Sequence, residues 1–242
     1  MTSIDQLLAQ RHARRGDRTG NKALARARAE QSRYIAANFS IYDHLRAHLF
    51  HPHQHPIAAF SSQENQVPEY LHKLGWIKPA GNQRWQVSND DDIRVYLSGG
   101  WLEELVFLAH EAAGADEVHF GQDIEWTVND IHGKNEIDVI ARRGDVLSFT
   151  SCKAIRPEKS KAHMEQLRGF LTETDYWNIH FANDKGRALL VVTADFMDEY
   201  SKQHRYPSLA ARASVLCVDM AGLEQMQWGK LVQVVDKHWQ SQ

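Results

Sequence analysis

The chain has 242 residues, of which 43% are hydrophobic and 24% are charged, and its formal net charge is −3. This composition is that of a globular protein with enough apolar residues for a sizeable core, and it carries no overall basic signature for nucleic acid. No apolar run approaches the roughly 18–20 residues that a membrane-spanning helix needs. The N-terminus lacks the apolar stretch of a secretory signal. We therefore expect a cytoplasmic protein without membrane association.

The first 33 residues form a basic segment. Ala, Arg and Gln are common in it and large apolar residues are few, which is typical of an extension or a loose helix. Such a segment can neutralise phosphates, although a solvated tail is the alternative interpretation. Its candidates for nucleic-acid binding are Arg11, Arg14, Arg15, Arg18, Lys22, Arg26 and Arg28.

Residues 34–97 predict a small, mainly helical module. Apolar residues at helical spacing predict a helix over Tyr34–Leu49, and a second short helix is predicted at Val67–Leu74. Two strand-like segments follow, Trp76–Ile77 and Arg84–Val87. Helices followed by a short hairpin resemble a winged-helix module.

Residues 98–242 predict a larger α/β domain. Strands and helices alternate along it, which predicts a mixed central sheet flanked by helices. The predicted elements are a helix at Trp101–His110, strands at Val118–Val128, Glu136–Ala141 and Val146–Cys152, a helix at Lys159–Thr172, a strand at Ala188–Thr193, a helix at Pro207–Ala213, a strand at Val215–Val218 and a helix at Leu223–Trp228.

The strand–turn–strand unit at residues 134–153 carries the most informative chemistry. Asp138 lies within the first strand and Lys153 ends the second, so a tight turn can bring both to one edge of the sheet. Phosphodiester hydrolysis needs an activated water and a stabilised phosphate charge. A carboxylate that holds Mg²⁺ or Mn²⁺ beside a lysine can supply both. The alternative is a structural ion pair between Asp138 and Lys153.

Three motifs, taken in order, resemble the PD-(D/E)xK superfamily of nucleases, which has the restriction-endonuclease-like fold. They are Gly99-Gly100-Trp101-Leu102-Glu103-Glu104, Asn135-Glu136-Ile137-Asp138-Val139 and Ser151-Cys152-Lys153. More narrowly, they resemble the nuclease domain of CRISPR-accessory nucleases activated by cyclic oligoadenylate, over roughly residues 98–220. The resemblance implies that Asp138 is a metal ligand and that Lys153 positions the attacking water.

Two features depart from the family's pattern. Ser151 stands where the family has a glutamate, so one metal-binding carboxylate is missing, and Ser151 either positions water weakly or marks the lost acid. Some members of the superfamily take a glutamate from the following helix. We therefore expect Glu165 to replace the acid, and Glu103, or else Glu104, to supply an accessory carboxylate for the metal. Arg168 on the same helix as Glu165 would contact a phosphate or orient the site, and a solvated helix face is the alternative interpretation. The second departure is that residues 1–97 are too short, and lack the βαβ pattern, for the nucleotide-sensing domain that normally precedes the nuclease.

These observations support two hypotheses. The first is a metal-dependent endonuclease that acts on DNA more than on RNA. It would work as a homodimer, because two strands need two sites, and a protein of a defence or mobile-element system would be its partner. The second is a catalytically inactive nuclease fold that binds DNA or assembles a complex, which the loss of the acid at Ser151 favours.

Overall fold

A computed structural model describes residues 2–51, 61, 64–81, 84–155, 161–182 and 185–240. The chain divides into two compact units. Unit 1 comprises Met1–Glu30 and Leu102–Gln242, and unit 2 comprises Gln31–Trp101. Among the described residues, no helix is both long enough and apolar enough to cross a membrane.

The helices and strands of the described residues are numbered in chain order. The helices are α1 (Ile4–Ala9), α2 (Lys22–Ala27), α3 (Ala29–Ala37), α4 (Phe39–Phe50), α5 (Gln66–Lys73), α6 (Asp91–Val95), α7 (Trp101–Ala112), α8 (Lys161–Phe181), α9 (Pro207–Val215) and α10 (Trp228–Gln240). The strands are β1 (Ala13–Arg15), β2 (Ile77–Pro79), β3 (Trp85–Val87), β4 (Glu117–Val128), β5 (Ile131–Arg143), β6 (Val146–Lys153), β7 (Arg187–Val192) and β8 (Val218–Ala221).

Unit 1 contains, within the described residues, a six-stranded sheet in the order β1-β4-β5-β6-β7-β8. The pairs from β1 to β6 are antiparallel, whereas β6, β7 and β8 run parallel. Only Gly144 and Asp145 connect β5 to β6, and Gly144 has a φ of 60°, which suits a tight hairpin turn. Parallel neighbours need a crossover, and α8 and α9 provide the two crossovers. The mixed sheet flanked by helices that the sequence predicts is confirmed.

The apolar faces of the helices in unit 1 pack on this sheet. One cluster joins Leu8 of α1 to Phe149 of β6 and Trp177 of α8. A second cluster joins Leu171 of α8 to Leu190 of β7 and to α9. The strand β7 is buried, as its near-continuous apolar run predicts. Together these contacts hold the end of the β5–β6 hairpin beside α8.

The N-terminal residues are part of unit 1 rather than a free extension. Ser3 caps α1 in a capping box with Gln6, and α1 buries Ile4, Leu7 and Leu8. The strand β1 then pairs with β4, with Ala13 opposite Trp126. The apolar residues of this segment are few, and the residues that they contact are distant in the sequence. Composition alone therefore predicts a loose tail.

Several predicted elements differ from the structure in their bounds, among them the strand predicted at Glu136–Ala141, which extends over Ile131–Arg143. The helix predicted at Lys159–Thr172 continues to Phe181, while residues 156–160 lie outside the described part of the chain. The apolar run at Val215–Val218 spans the end of α9 and a turn at Cys217, where φ is 53°, before β8 begins. The last helix is α10, whose buried residues Leu231, Val235, His238 and Trp239 follow helical spacing.

In unit 2 the hairpin β2–β3 follows α4 and α5 and precedes α6. The helix predicted over Tyr34–Leu49 is interrupted at Asn38, whose amide donates a 2.9 Å hydrogen bond to the Tyr34 carbonyl and whose φ is −115°. Aromatic rings form the core: Trp101 lies 5.8 Å from Phe39 and 6.0 Å from Tyr42 between ring centroids.

Candidate active site

Asp138 and Lys153 meet at the end of the β5–β6 hairpin. Val139 and Thr150 are the last paired residues of β5 and β6 at this end of the hairpin. Beyond them, the carboxylate of Asp138 takes the place of the hydrogen bonds between the two backbones. Its Oδ2 accepts hydrogen bonds from the Cys152 backbone N at 2.6 Å, from Lys153 Nζ at 2.8 Å and from Ser151 Oγ at 3.2 Å. The structure therefore brings Asp138, Ser151 and Lys153 together, as the sequence predicts.

Lys153 is a largely buried cation, with its side chain 23% exposed. Burial alone would lower the pKa of the ammonium, but the charge and the hydrogen bond of Asp138 outweigh burial, and the pKa of Lys153 is raised. The ring of Phe170 lies 5.4 Å from Nζ. An ammonium has three N–H donors, so the bond to Asp138 uses only part of its capacity.

Glu103, from the first turn of α7, joins this group of charges. The pKa of Glu103 is raised to about 8, mainly by burial and also by the nearby carboxylates of Asp138 and Glu136, against the opposing effects of Lys153 and Arg18. Burial also raises the pKa of Glu136, with Asp138 adding to the shift and Arg18 opposing it. Glu103 thus holds its proton at neutral pH in the structure described here.

Gly121 of β4 makes room for these carboxylates. It has a φ of 50°, a conformation that favours glycine. A Cβ on this residue would lie 3.6 Å from Oε1 of Glu136 and 3.8 Å from Oε2 of Glu103. A side chain would therefore occupy the space beside both glutamates.

Glu104, the other acid in the first turn of α7, has a structural role. It is 3% exposed and forms a bidentate pair with Arg28, whose Nε lies 2.8 Å from Oε2 and whose Nη2 also contacts the carboxylate. Arg28 is 8% exposed. The assignment of Arg28 to nucleic-acid binding stays a prediction, and in the structure its guanidinium neutralises a buried acid.

Glu165 is not among the residues that line the cavity beside Asp138. It forms a 2.6 Å ion pair with Arg168 on the exposed side of α8. The glutamate of α8 that lines the cavity beside Asp138, Ser151 and Lys153 is Glu173. Eight residues separate Glu165 from Glu173, which is about 12 Å along a helix. The helix predicted from the sequence ends at Thr172, so it does not include Glu173, the acid that lines this cavity.

The basic residues of the N-terminal segment mostly pair within unit 1. Arg18 is the member at the candidate site, with its Nη1 2.5 Å from Oε2 of Glu136. The others contact acids, a histidine or a carbonyl: Arg11 with the Ala182 carbonyl, Arg14 with Glu125, Arg15 with Asp5, Lys22 with His119 and Arg26 with Glu111. These pairs fold the predicted basic arm onto the domain, and they reduce its capacity to neutralise phosphates.

The donor set fits Mg²⁺ or Mn²⁺ in chemistry, since these ions prefer carboxylate oxygens. Glu103, Glu136 and Asp138 share one electrostatic environment, because each glutamate's pKa responds to Asp138. Yet over the described part of the chain no group of three or more His, Cys, Asp or Glu side chains is placed to hold a metal ion. Lys153 engages Asp138 and Arg18 engages Glu136, so these side chains would have to rotate for three carboxylates to bind one ion.

Residues 90–195 match the family model described as "Card1-like, endonuclease domain". This segment contains a restriction-endonuclease-like nuclease domain. It includes α7 and the strands β4, β5 and β6, and therefore Glu103, Asp138 and Lys153. The resemblance inferred from the three sequence motifs is confirmed.

Two solved structures are similar in fold to nearly all of this chain. The protein VC1899 from Vibrio cholerae is 14% identical with a TM-score of 0.70, and the match covers 97% of this chain and 61% of that one. Can2 from Sulfobacillus thermosulfidooxidans, in complex with cyclic tetra-adenylate (cA4), is 16% identical with a TM-score of 0.65, and the match covers 99% and 61%. The chain thus spans 61% of the length of both proteins. The comparison with curated proteins finds no significant match.

Proposed function

We propose that the protein is a metal-dependent endonuclease that hydrolyses phosphodiester bonds in DNA. The observation that carries this proposal is the coupled group of Asp138, Lys153 and Glu103, which lies within a segment that matches an endonuclease family. Mg²⁺ or Mn²⁺, held by Asp138, Glu103 and Glu136, would supply Lewis acidity toward the phosphate and a lowered pKa for water.

The side chains would then divide the remaining work. Lys153, charged at neutral pH, would donate an N–H to a non-bridging oxygen of the scissile phosphate and help to position water. Ser151 would act as a positioning residue, since its hydroxyl donates to Asp138. The carboxyl group of Glu103 holds a proton below about pH 8 and would release it when it binds a cation.

The cavity beside Asp138 has the size of a water site. Its volume is about 20 Å³, which is room for one water molecule, and Ser151, Lys153 and Glu173 line it. A small site lined by such polar groups can hold a water beside the reacting phosphate. We propose that Glu173 orients this water, and that Glu103 and Glu136 supply the metal-binding carboxylates in place of the acid missing at Ser151.

A groove on α8 and α9 would accept the nucleic-acid strand next to this cavity. Its volume is about 610 Å³, and Glu173 lines both the groove and the cavity, so the two adjoin. Arg168, Arg212 and the half-exposed Tyr176 also line the groove. The described contact of Arg212 is a 3.0 Å hydrogen bond to Thr172 Oγ1 rather than an ion pair with a carboxylate. Arginines beside an exposed aromatic ring suit phosphates and bases.

The proposal is tested by incubating purified protein with supercoiled plasmid, single-stranded DNA and RNA. Each substrate is given Mg²⁺, Mn²⁺ or EDTA, with and without cA4, because the Can2 structure contains that ligand. Metal-dependent cleavage of DNA that Lys153→Met abolishes is the expected result. Cleavage that persists in EDTA, or that is equal in the variant, would contradict the proposal.

A homodimer is part of the proposal, because cleavage of both strands of a duplex needs two active centres. Light scattering of the purified protein checks this, and the mass expected is twice the 27.7 kDa of one chain. A protein partner from a defence system is proposed as a source of regulation. Co-purification from a host with the intact gene neighbourhood tests that part.

The second candidate is an inactive nuclease fold that binds DNA. Two observations favour it: Ser151 replaces an acid, and Lys153 and Arg18 already neutralise Asp138 and Glu136. This candidate predicts that the protein binds DNA in EDTA and cleaves none of the substrates with any divalent metal.

A further inference from the structure

Residues 70–89 of unit 2 contain cations and no acid. Between Gln31 and Trp101 the chain has six Lys or Arg residues and six Asp or Glu residues, so the net charge of unit 2 is zero. The charges are segregated, however. Lys73, Lys78 and Arg84 fall between Glu69 and Asp90. The charge of this stretch is therefore positive, although that of the unit as a whole is not.

The hairpin β2–β3 directs its polar residues toward solvent. Ile77 and Val87 are opposite each other and buried, and Lys78 is opposite Gln86. Lys78 and Gln86 are exposed. Arg84 directly precedes β3, in the turn that closes the hairpin, and it is also exposed. One face of the hairpin therefore anchors it, while Lys78 and Gln86 on the other face, and Arg84 at the turn, lie in water.

Contacts with α5 hold the hairpin in place. A two-stranded hairpin is marginally stable alone, so it needs such support. The Nδ1 atom of His72 lies 3.0 Å from the Ile77 carbonyl oxygen, and its ring lies 5.6 Å from that of Trp85. The backbone N–H of Ser88 donates a 2.9 Å hydrogen bond to the Trp76 carbonyl. The outward face is thus presented by a supported element.

The cations of this face differ from those of the N-terminal segment in their partners. Over the described residues, Lys73, Lys78 and Arg84 have neither a side-chain hydrogen bond nor an ion pair. By contrast, Arg14, for example, is bound to Glu125 at 2.7 Å. A cation without an intramolecular acid loses no ion pair when it binds a phosphate.

We propose that the outward face of the β2–β3 hairpin, with Lys73 at the end of α5, is a binding surface for the phosphate backbone of nucleic acid. It rests on the proposed function only in taking nucleic acid as the partner, and it needs no catalysis. Lys and Arg contacts to phosphates release counterions and read no sequence. The surface therefore supplies affinity that is independent of sequence and sensitive to salt.

The test measures binding of the full-length protein to a labelled 30-base-pair DNA duplex and an RNA of equal length, in EDTA and at several salt concentrations. The Lys78→Ala/Arg84→Ala variant is compared with wild type, with Lys230→Ala as a control at an exposed position of α10. We expect about tenfold weaker binding at 0.1 M salt, and a slope of log K against log salt that is smaller in magnitude by about 1.8 for two lost phosphate contacts. Lys230→Ala should match wild type, and the charge-conserving Lys78→Arg/Arg84→Lys variant should retain the slope.

An unchanged affinity and slope in Lys78→Ala/Arg84→Ala would overturn the inference, as would a wild-type protein that binds neither nucleic acid at any salt concentration. Cleavage is assayed separately with Mg²⁺. A protein that cleaves nothing but binds through the hairpin would sink the proposed function and support this inference. A protein that cleaves DNA while the double variant binds normally would do the reverse.

Discussion

Lys153 donates a 2.8 Å hydrogen bond from Nζ to Oδ2 of Asp138, and the two side chains are 23% and 17% exposed. Burial alone would lower the pKa of Lys153, but the charge and the hydrogen bond of Asp138 outweigh burial, so the pKa is raised and the ammonium stays charged at neutral pH. In the proposed endonuclease, cleavage would require the two to exchange partners, because a metal and a phosphate would compete for the same groups.

Glu173 and Glu165 form a matched pair on α8, and their substitution tests which acid serves the site. We expect Glu173→Gln to lower the rate of DNA cleavage by at least about tenfold, since Glu173 lines the cavity beside Asp138. Glu165→Gln should change the rate by less than about threefold, because Glu165 is an exposed partner of Arg168. Initial rates at saturating Mg²⁺ provide the measurement. A larger loss in Glu165→Gln would restore the assignment made from the sequence.

Substitution of Gly121 by alanine should affect both stability and metal binding. Its φ of 50° makes a side chain strained by about 1–2 kcal/mol, and the added methyl group would lie beside Glu103 and Glu136. We expect a lower Tm and a higher Mg²⁺ concentration for half-maximal cleavage. Gly229→Ala is the control, because a Cβ there meets nothing within 4 Å. Equal changes in Tm and in the Mg²⁺ concentration for half-maximal cleavage would show that a side chain at position 121 does not disturb the site.

The pKa of Glu103 predicts how stability depends on pH in the absence of metal. An ordinary glutamate loses its proton near pH 4.5, whereas Glu103 in the folded protein does so near 8. Between these values the folded chain binds one proton more than the unfolded chain, so stability falls as pH rises from about 5 to 8. Glu103→Gln should remove this component and raise the free energy of unfolding at pH 8 by about 1–3 kcal/mol. Urea titrations in EDTA at pH 5.5 and pH 8 measure it, and a variant with the wild-type pH dependence would refute the assignment.

Arg28 should prove essential for folding and unimportant for direct contact with nucleic acid. Arg28→Ala leaves the buried carboxylate of Glu104 without its partner, which costs about 3–5 kcal/mol. Arg14→Ala removes a pair whose arginine is 79% exposed and should cost less than about 1 kcal/mol. Chemical denaturation of the two variants tests the contrast. Similar stabilities would mean that the Arg28–Glu104 pair is not structural.

The Asp138–Lys153 pair could be predicted from the sequence because both residues belong to one hairpin. A two-residue turn and strand alternation fix their relative positions. The place of Arg18 could not be predicted in this way, since it contacts Glu136 across 118 residues. No feature of the neighbouring sequence distinguishes Arg18 from Arg14 or Arg15.

The sequence predicts the helix that carries the candidate glutamate of the site, but it does not predict how far that helix extends. Only after α8 is seen to continue to Phe181 does Glu173 become a candidate for the cavity. The apolar spacing of Leu167 and Leu171 marks the helix in sequence, whereas the polar residues after Thr172 obscure its continuation.

The most direct test of the account is the Mg²⁺ titration of plasmid cleavage by wild type, Asp138→Asn and the exposed-surface control Glu199→Gln. Asp138 is proposed to hold the metal and to fix Lys153, so Asp138→Asn should lower the rate by at least about 10²–10³ at every Mg²⁺ concentration. Glu199→Gln should follow the wild-type curve. Wild-type cleavage by Asp138→Asn would contradict the account, and so would a wild-type protein that is inactive with both Mg²⁺ and Mn²⁺ on every substrate.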